Sequence, residues 1–343
     1  MSLTSQDSEL AWKFWSNTLA VSRGRAEQAT RQPMPGPLRT VAVDDVTFSG
    51  YEGQSIRAWF VRPLEHSTPL PTVVEYVGYG GGRGYSHEHL LWASCGFAHL
   101  VMDVRGQGSG WRLGVTPDAG PPSLSGDSFF TRGLHSPEAY YYRRLYTDAV
   151  LAVDAVRTFA EVDRNSIAVT GVSQGGGTAL AVAALRNDLA AVMPDVPAMG
   201  AYRTAMAEAE DGPYVALADY LAVHREEVEQ AERTLNMFDT AILCSRATAP
   251  ALFSLGGRDD LVPPSSIREV FEAYGGPKEL IEYPYNRHEG GGAPHAMRQI
   301  EWLSALLQRT NTTRVATEGG DGSTSMGHGP VANSGSERMD NDQ

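Results

Sequence analysis

Apolar residues along this chain change their spacing twice, and each change marks a different kind of structure. Residues 8–22 place Leu10, Trp12, Phe14, Trp15 and Leu19 near a helical period, which predicts an N-terminal helix with one docking face. A linker rich in Pro and Gly follows at 33–37. From 40 to 62 the period drops to two, with Val41, Val43, Val46 and Phe48, then Ile56, Ala58 and Phe60. The segment Gly50 to Gly53 between the two runs suits a hairpin turn. From Thr72 onward short apolar runs alternate with helical patterns. Strands are predicted at 72–77, 97–103, 166–171, 190–195, 250–255 and 279–283. Helices are predicted at 85–94, 138–160, 174–186, 265–274 and 295–308. That alternation implies an α/β fold with a mostly parallel sheet flanked by helices, preceded by a β section.

Two segments stand outside the alternation. Residues 198–245 are long, charged and helical in propensity, and read as an insertion that forms a lid or an interface element. Residues 312–343 contain no Leu, Ile, Phe, Trp or Tyr. Such a stretch cannot bury enough apolar surface to offset its ordering entropy, so it is expected to be a disordered tail behind a single domain of 1–311.

Composition narrows the function classes. The chain has 343 residues, 42% of them apolar, which is enough for a substantial core. Its net charge of −13 and the lack of any basic cluster beyond Arg143-Arg144 argue against nucleic acid and against anionic membrane surfaces. Only two cysteines occur, Cys95 and Cys244, with no C-x-x-C pair. With a polar N-terminus and no long apolar run, the expectation is a soluble, cytoplasmic protein without a structural disulfide.

The chemistry centres on Gly171-Val172-Ser173-Gln174-Gly175. An apolar run from Ser166 to Thr170 precedes this G-x-S-x-G pattern, and a small-residue helical run follows it. That context makes it a nucleophile elbow, in which a tight strand-to-helix turn exposes the serine hydroxyl. A serine at neutral pH needs a base, and the base needs an orienting carboxylate. In folds of this type the order is serine, acid, histidine. His288, in a glycine-rich loop after the last strand, is favoured over His295 in a predicted helix and His328 in the predicted tail. Asp259, at the end of the preceding strand, is favoured over its neighbour Asp260. The oxyanion donors are expected to be the backbone N–H groups of Gln174 and of Tyr79, the latter in the glycine-rich loop 77–84.

Other patterns carry less. His87 and His89 do not suit a metal, because an i, i+2 pair on a helix points to opposite sides, so no metal or organic cofactor is implied. Tyr140-Tyr141-Tyr142-Arg143-Arg144 reads as helix packing plus surface charge. Arg105-Gly106-Gln107-Gly108 reads as a structural turn rather than a phosphate loop.

Together, the Arg105–Gly108 motif, the serine elbow, Asp259 followed by Pro263-Pro264, and His288-Glu289 resemble the acetyl xylan esterase / cephalosporin C deacetylase family, carbohydrate esterase family seven. The resemblance runs from about residue 8 to 310. It takes in Phe14-Trp15, Thr131-Arg132-Gly133, the Tyr140–Arg144 run, Asp195-Val196-Pro197 and Tyr283-Pro284-Tyr285. It implies an α/β-hydrolase fold, Ser173 as nucleophile, Asp259 as acid and His288 as base. It also implies deacetylation of acetylated sugars and of cephalosporin C, and assembly into a homohexamer. The chain departs from the family pattern at Val77, where a histidine is usual, and at Gly110, where a serine is often found. The remaining alternatives are a general short-chain carboxylesterase, a peptidase of the same fold, and an inactive hydrolase-fold binding protein.

Overall fold

The structure, a computed structural model, describes residues 5–120 and 128–318. The chain divides into two compact units, Met1–Leu303 and Ser304–Gln343. The first unit opens with helix α1 (Ser5–Gly24) and a short strand β1 (Thr30–Pro33), then a hairpin of β2 (Val41–Ser49) and β3 (Ser55–Pro63). The alternating part follows, with β4 (Leu70–Tyr76), α2 (Leu91–Ser94), β5 (Ala98–Met102), α3 (Tyr141–Val156), β6 (Val162–Val172) and α4 (Gln174–Leu185). After β7 (Ala191–Asp195) come α5 (Tyr202–Glu208), α6 (Pro213–Val223), α7 (Val228–Asn236) and α8 (Thr240–Leu243). The chain then forms β8 (Ala251–Gly256), α9 (Pro264–Ala273), β9 (Lys278–Tyr283) and α10 (Gly292–Glu318).

Among the described residues nine strands form one sheet in the order β1-β2-β3-β5-β4-β6-β7-β8-β9. The first four in that order pair antiparallel, and from β5 to β9 every pair is parallel. The topology therefore reverses between β4 and β6, where the chain first adds β5 to one side and then returns to the other. Crevices at such switch points, beyond the carboxyl ends of the strands, are where α/β folds hold their ligands.

The six predicted strands and the hairpin are found within a few residues of their expected bounds. β1 has no apolar alternation. It joins the edge by pairing Thr30 with Thr47 and Pro33 with Asp44. Helix 85–94 is not formed as predicted. A 3-10 turn at Ser86–Glu88 and the single turn α2 take its place. The 198–245 segment is helical as expected, in the four pieces α5 to α8. The C-terminal helix continues to Glu318, past the expected boundary at 311. The rest of the expected tail, from 319, lies outside the described residues.

A large cluster on one sheet face holds α1, α3, α4 and the 198–245 helices together. Trp15 is fully buried there, and its Nε1 donates to Met237 O at 3.0 Å. Trp12 lies under Arg246, whose guanidinium carbon is 4.1 Å from the ring centre. The aromatic face of α1 is thus used inside its own chain. The opposite sheet face carries a smaller cluster of Val41, Val43, Val61 and Ala93.

Candidate active site

Ser173 sits between the end of β6 and the first residue of α4, with φ 59° and ψ −120°. A non-glycine residue in this region is strained and persists only where its surroundings hold it. Here the serine amide donates to Asp195 O at 2.9 Å, and its carbonyl accepts from Gly177 N and Ala198 N at 3.0 Å each. The flanking glycines have a steric cause. A Cβ on Gly171 would lie 2.6 Å from Tyr76 O, and one on Gly175 would lie 2.0 Å from the same oxygen. The turn can close only because α4 starts against the end of β4.

His288 and Asp259 come from loops after neighbouring strands. His288 Nδ1 lies 2.8 Å from Asp259 Oδ2, and the Asp259 side chain is fully buried. With its proton on Nδ1, the ring keeps a lone pair on Nε2. The other Asp259 oxygen accepts from Leu261 N at 3.0 Å and Val262 N at 2.9 Å, which fixes the carboxylate. Asp260 faces outward and pairs with Arg287. His295 is buried elsewhere, with Nε2 2.9 Å from Asp195 Oδ1. His328 lies outside the described residues. Ser173 and His288 line the same pocket.

The Gln174 amide opens α4, where helix N–H groups have no internal acceptor. Tyr79 leads the loop that follows β4. Its carbonyl accepts from Trp111 Nε1 at 2.8 Å, and its hydroxyl accepts from Phe129 N at 2.9 Å. One connection was not visible in the sequence. The Gln174 side chain, only 1% exposed, accepts from Gln107 Nε2 at 3.0 Å and from Tyr142 OH at 2.9 Å, and donates to Val77 O at 3.3 Å. Gln107 Oε1 in turn accepts from Gly80 N at 2.7 Å. Two amide side chains thereby join the elbow to the Tyr79 loop. The available signals were the Arg105–Gly108 motif and the tyrosine run, each of which the sequence offered only as a local feature.

Arg105 is buried, bonding Asp148 at 2.5 and 2.7 Å. The turn is structural, as expected. The reading of Arg143-Arg144 as surface charge needs correcting. Arg144 is 4% exposed and holds Asp118 through two bonds of 2.9 Å. Arg143 lies over the rings of Phe14 and Tyr51. His87 and His89 do diverge, although not on a helix. His87 is exposed and stacks on Tyr85, while His89 is buried.

The pocket has a volume of about 500 Å³. Tyr79 and Trp111 wall it on the loop side, and Gly212, Pro213 and Tyr214 enter from the 198–245 segment. Most of the lining is apolar, which suits an uncharged ligand fixed by a few polar groups. Among the described residues no helix is long and apolar enough to cross a membrane.

Known proteins place this architecture. The chain is 36% identical to the acetyl xylan esterase from Paenibacillus sp. R4, with a TM-score of 0.81 over 89% of this chain and 95% of that one. Acetyl xylan esterase 1 from Thermoanaerobacterium sp. JW/SL YS485 shares the fold, with a TM-score of 0.79 at 23% identity over 89% and 99% of the two chains. The acetyl esterase Axe7A of Xylanibacter ruminicola is 24% identical over 58% of this chain, which spans 44% of that protein's length. The acetyl xylan esterase (AXE1) family profile matches residues 4–306. The match covers the elbow, both loops of the pocket and the sheet that carries them, and the chain belongs to the acetyl xylan esterase family of carboxylic ester hydrolases.

Proposed function

We propose that this protein removes acetyl groups from the hydroxyls of sugars such as xylo-oligosaccharides, with Ser173 as nucleophile. The observation that carries the reading is the Asp259–His288 contact of 2.8 Å, set beside the pocket into which the elbow serine opens. His288 Nε2 takes the proton from Ser173 as the hydroxyl attacks the ester carbonyl. The Tyr79 and Gln174 N–H groups receive the oxyanion. Collapse expels the sugar alcohol, protonated by His288, and leaves an acetyl-serine. Water, deprotonated by the same histidine, then releases acetate. Asp259 holds the imidazole in its reactive tautomer and stabilises its charged form. The homohexamer that the family resemblance implies belongs to the same proposal, as does cephalosporin C as a further substrate.

The test is kcat/KM across p-nitrophenyl acetate, butyrate and octanoate, with acetate release from acetylated xylo-oligosaccharides and cephalosporin C measured alongside. Ser173→Ala serves as the blank and should lose several orders of magnitude. Each methylene that a tight acyl site rejects costs about 1–3 kcal/mol, or roughly 10–200-fold. Activity should therefore fall steeply from acetyl to butyryl. A maximum at butyryl or longer replaces this reading with a general carboxylesterase.

A further inference from the structure

Below the Tyr79 loop three metal-ligating side chains converge, one of which, Glu75, also lines the pocket that holds Ser173. Glu75 lies on β4, His99 on β5, and His89 in the segment between them. Parallel register pairs Val73 with His99 and Glu75 with Val101, so both side chains leave the sheet on the same face. The two imidazoles meet edge to face at 5.8 Å. One donor atom from each of the three residues falls within 4.8 Å of the others.

Two backbone carbonyls face the rings of the cluster. His89 Nε2 is 2.8 Å from Arg83 O, and His99 Nδ1 is 3.4 Å from His89 O. A carbonyl only accepts, so His89 Nε2 carries the proton and Nδ1 keeps its lone pair; the longer His99 contact favours the same arrangement there, with Nε2 facing the cluster. This is the outer-sphere pattern that orients ligating histidines. His99 Nε2 is buried without a hydrogen bond of good geometry, 3.0 Å from Glu75 Oε2. A proton on His99 Nε2 would satisfy this pair, but would leave the neighbouring His89 lone pair unused. A metal ion uses all three donors.

We propose that Glu75, His89 and His99 form a site for a divalent transition metal of the zinc type. Two imidazoles and a carboxylate match that ion's ligand preference, and three protein ligands leave a fourth tetrahedral position for water. The 3.0 Å separation of His99 Nε2 and Glu75 Oε2 is close to the edge of such a tetrahedron, about 3.3 Å for bonds of about 2.0–2.1 Å. The ligands flank the 77–84 loop on both sides, so the ion would clip the loop's two ends to β5.

The test uses the full chain, stripped with a chelator, dialysed and titrated with Zn²⁺. Native mass spectrometry reads stoichiometry, thermal unfolding reads linkage, and visible absorption after Co²⁺ loading reads coordination. One ion per chain, a raised Tm and a tetrahedral Co²⁺ spectrum are expected. Affinity should drop at least tenfold in Glu75→Gln and in His99→Gln, and stay unchanged in His87→Gln, whose ring is exposed. If His99→Gln fails to fold, Glu75→Gln, nearly the same shape, carries the test alone. The proposal is overturned by wild-type protein that keeps no ion and shows no Tm shift at excess Zn²⁺. Binding that is equally strong in Glu75→Gln overturns it too, since that marks adventitious surface sites. None of these readouts depends on ester hydrolysis.

Discussion

Gln174 offers the sharpest test of how the elbow is held. Gln174→Met keeps the volume of the side chain and removes its hydrogen bonds. Gln107 Nε2 retains Tyr141 OH at 3.0 Å, but the Tyr142 hydroxyl, buried at 0% exposure, loses its acceptor. A stranded buried donor costs about 1–3 kcal/mol, and the lost bond to Val77 O adds about 0.5–1.5. The substitution should therefore destabilise the protein by about 2–4 kcal/mol. The same change removes the Gln174 contacts of Gln107, which anchors Gly80 beside Tyr79. A loosened oxyanion donor should cost about 10–100-fold in kcat/KM on p-nitrophenyl acetate, less than outright removal of a donor. Tyr142→Phe supplies the control. Alone it should cost about 1 kcal/mol, since Gln174 keeps its bond from Gln107. In the Gln174→Met background it should be neutral or restore about 1–2 kcal/mol, because the stranded hydroxyl is gone. Urea unfolding of the four proteins gives the cycle. Equal costs of Tyr142→Phe in both backgrounds, or a change of less than about 0.5 kcal/mol in Gln174→Met, would show that this amide does not hold the elbow.

Two further outcomes follow from the charges. Asp259→Asn should lower kcat about 10³–10⁴-fold, while Asp260→Asn, which breaks only an outward pair with Arg287, should stay within about twofold; steady-state kinetics that reverse this order would reassign the acid. Bonding by Arg31 holds the Glu161 carboxyl at about 2, below its ordinary 4.5, so its stabilisation is present above pH 4.5 and is lost as pH falls toward 2. Glu161→Gln should thus be less stable than the parent at neutral pH, and the unfolding midpoints of the two should converge over that acid window. A gap that persists to the acid end would show that the pair contributes nothing through ionisation.

How far the sequence could be read depended on the range of the interaction. Strands such as 251–256 and the hairpin follow from apolar spacing alone, because burial acts residue by residue. The elbow was legible because its glycines are forced by one local crossing. What was missed joins distant segments. Gln107 and Gln174 are 67 positions apart, and nothing near either one announces the other. Arg144 reads as a solvent charge in the sequence because Asp118, its partner, lies in a loop without periodicity. The helix expected over 85–94 breaks for a related reason. Glu88 folds back to accept from Tyr85 N at 3.0 Å, and His89 turns inward to Arg83 O, so tertiary bonds outweigh helical propensity. β1 was overlooked since an edge strand that is polar on both sides has no period to detect.

The seat of Trp15 bears on how the chain is made. α1 is synthesised well before its partner, since the carbonyl that receives its indole belongs to a residue 222 positions later. Until that stretch has been synthesised, an aromatic helix waits without its partner, while the hairpin and the first parallel strands can already pair. Closing so long a loop is slow, and the exposed ring is open to wrong contacts in the meantime. The same contact pins α1 to the segment that supplies Gly212, Pro213 and Tyr214 to the pocket. Removing α1 would therefore be felt late in synthesis, at the wall of a cavity built from residues some two hundred positions further on.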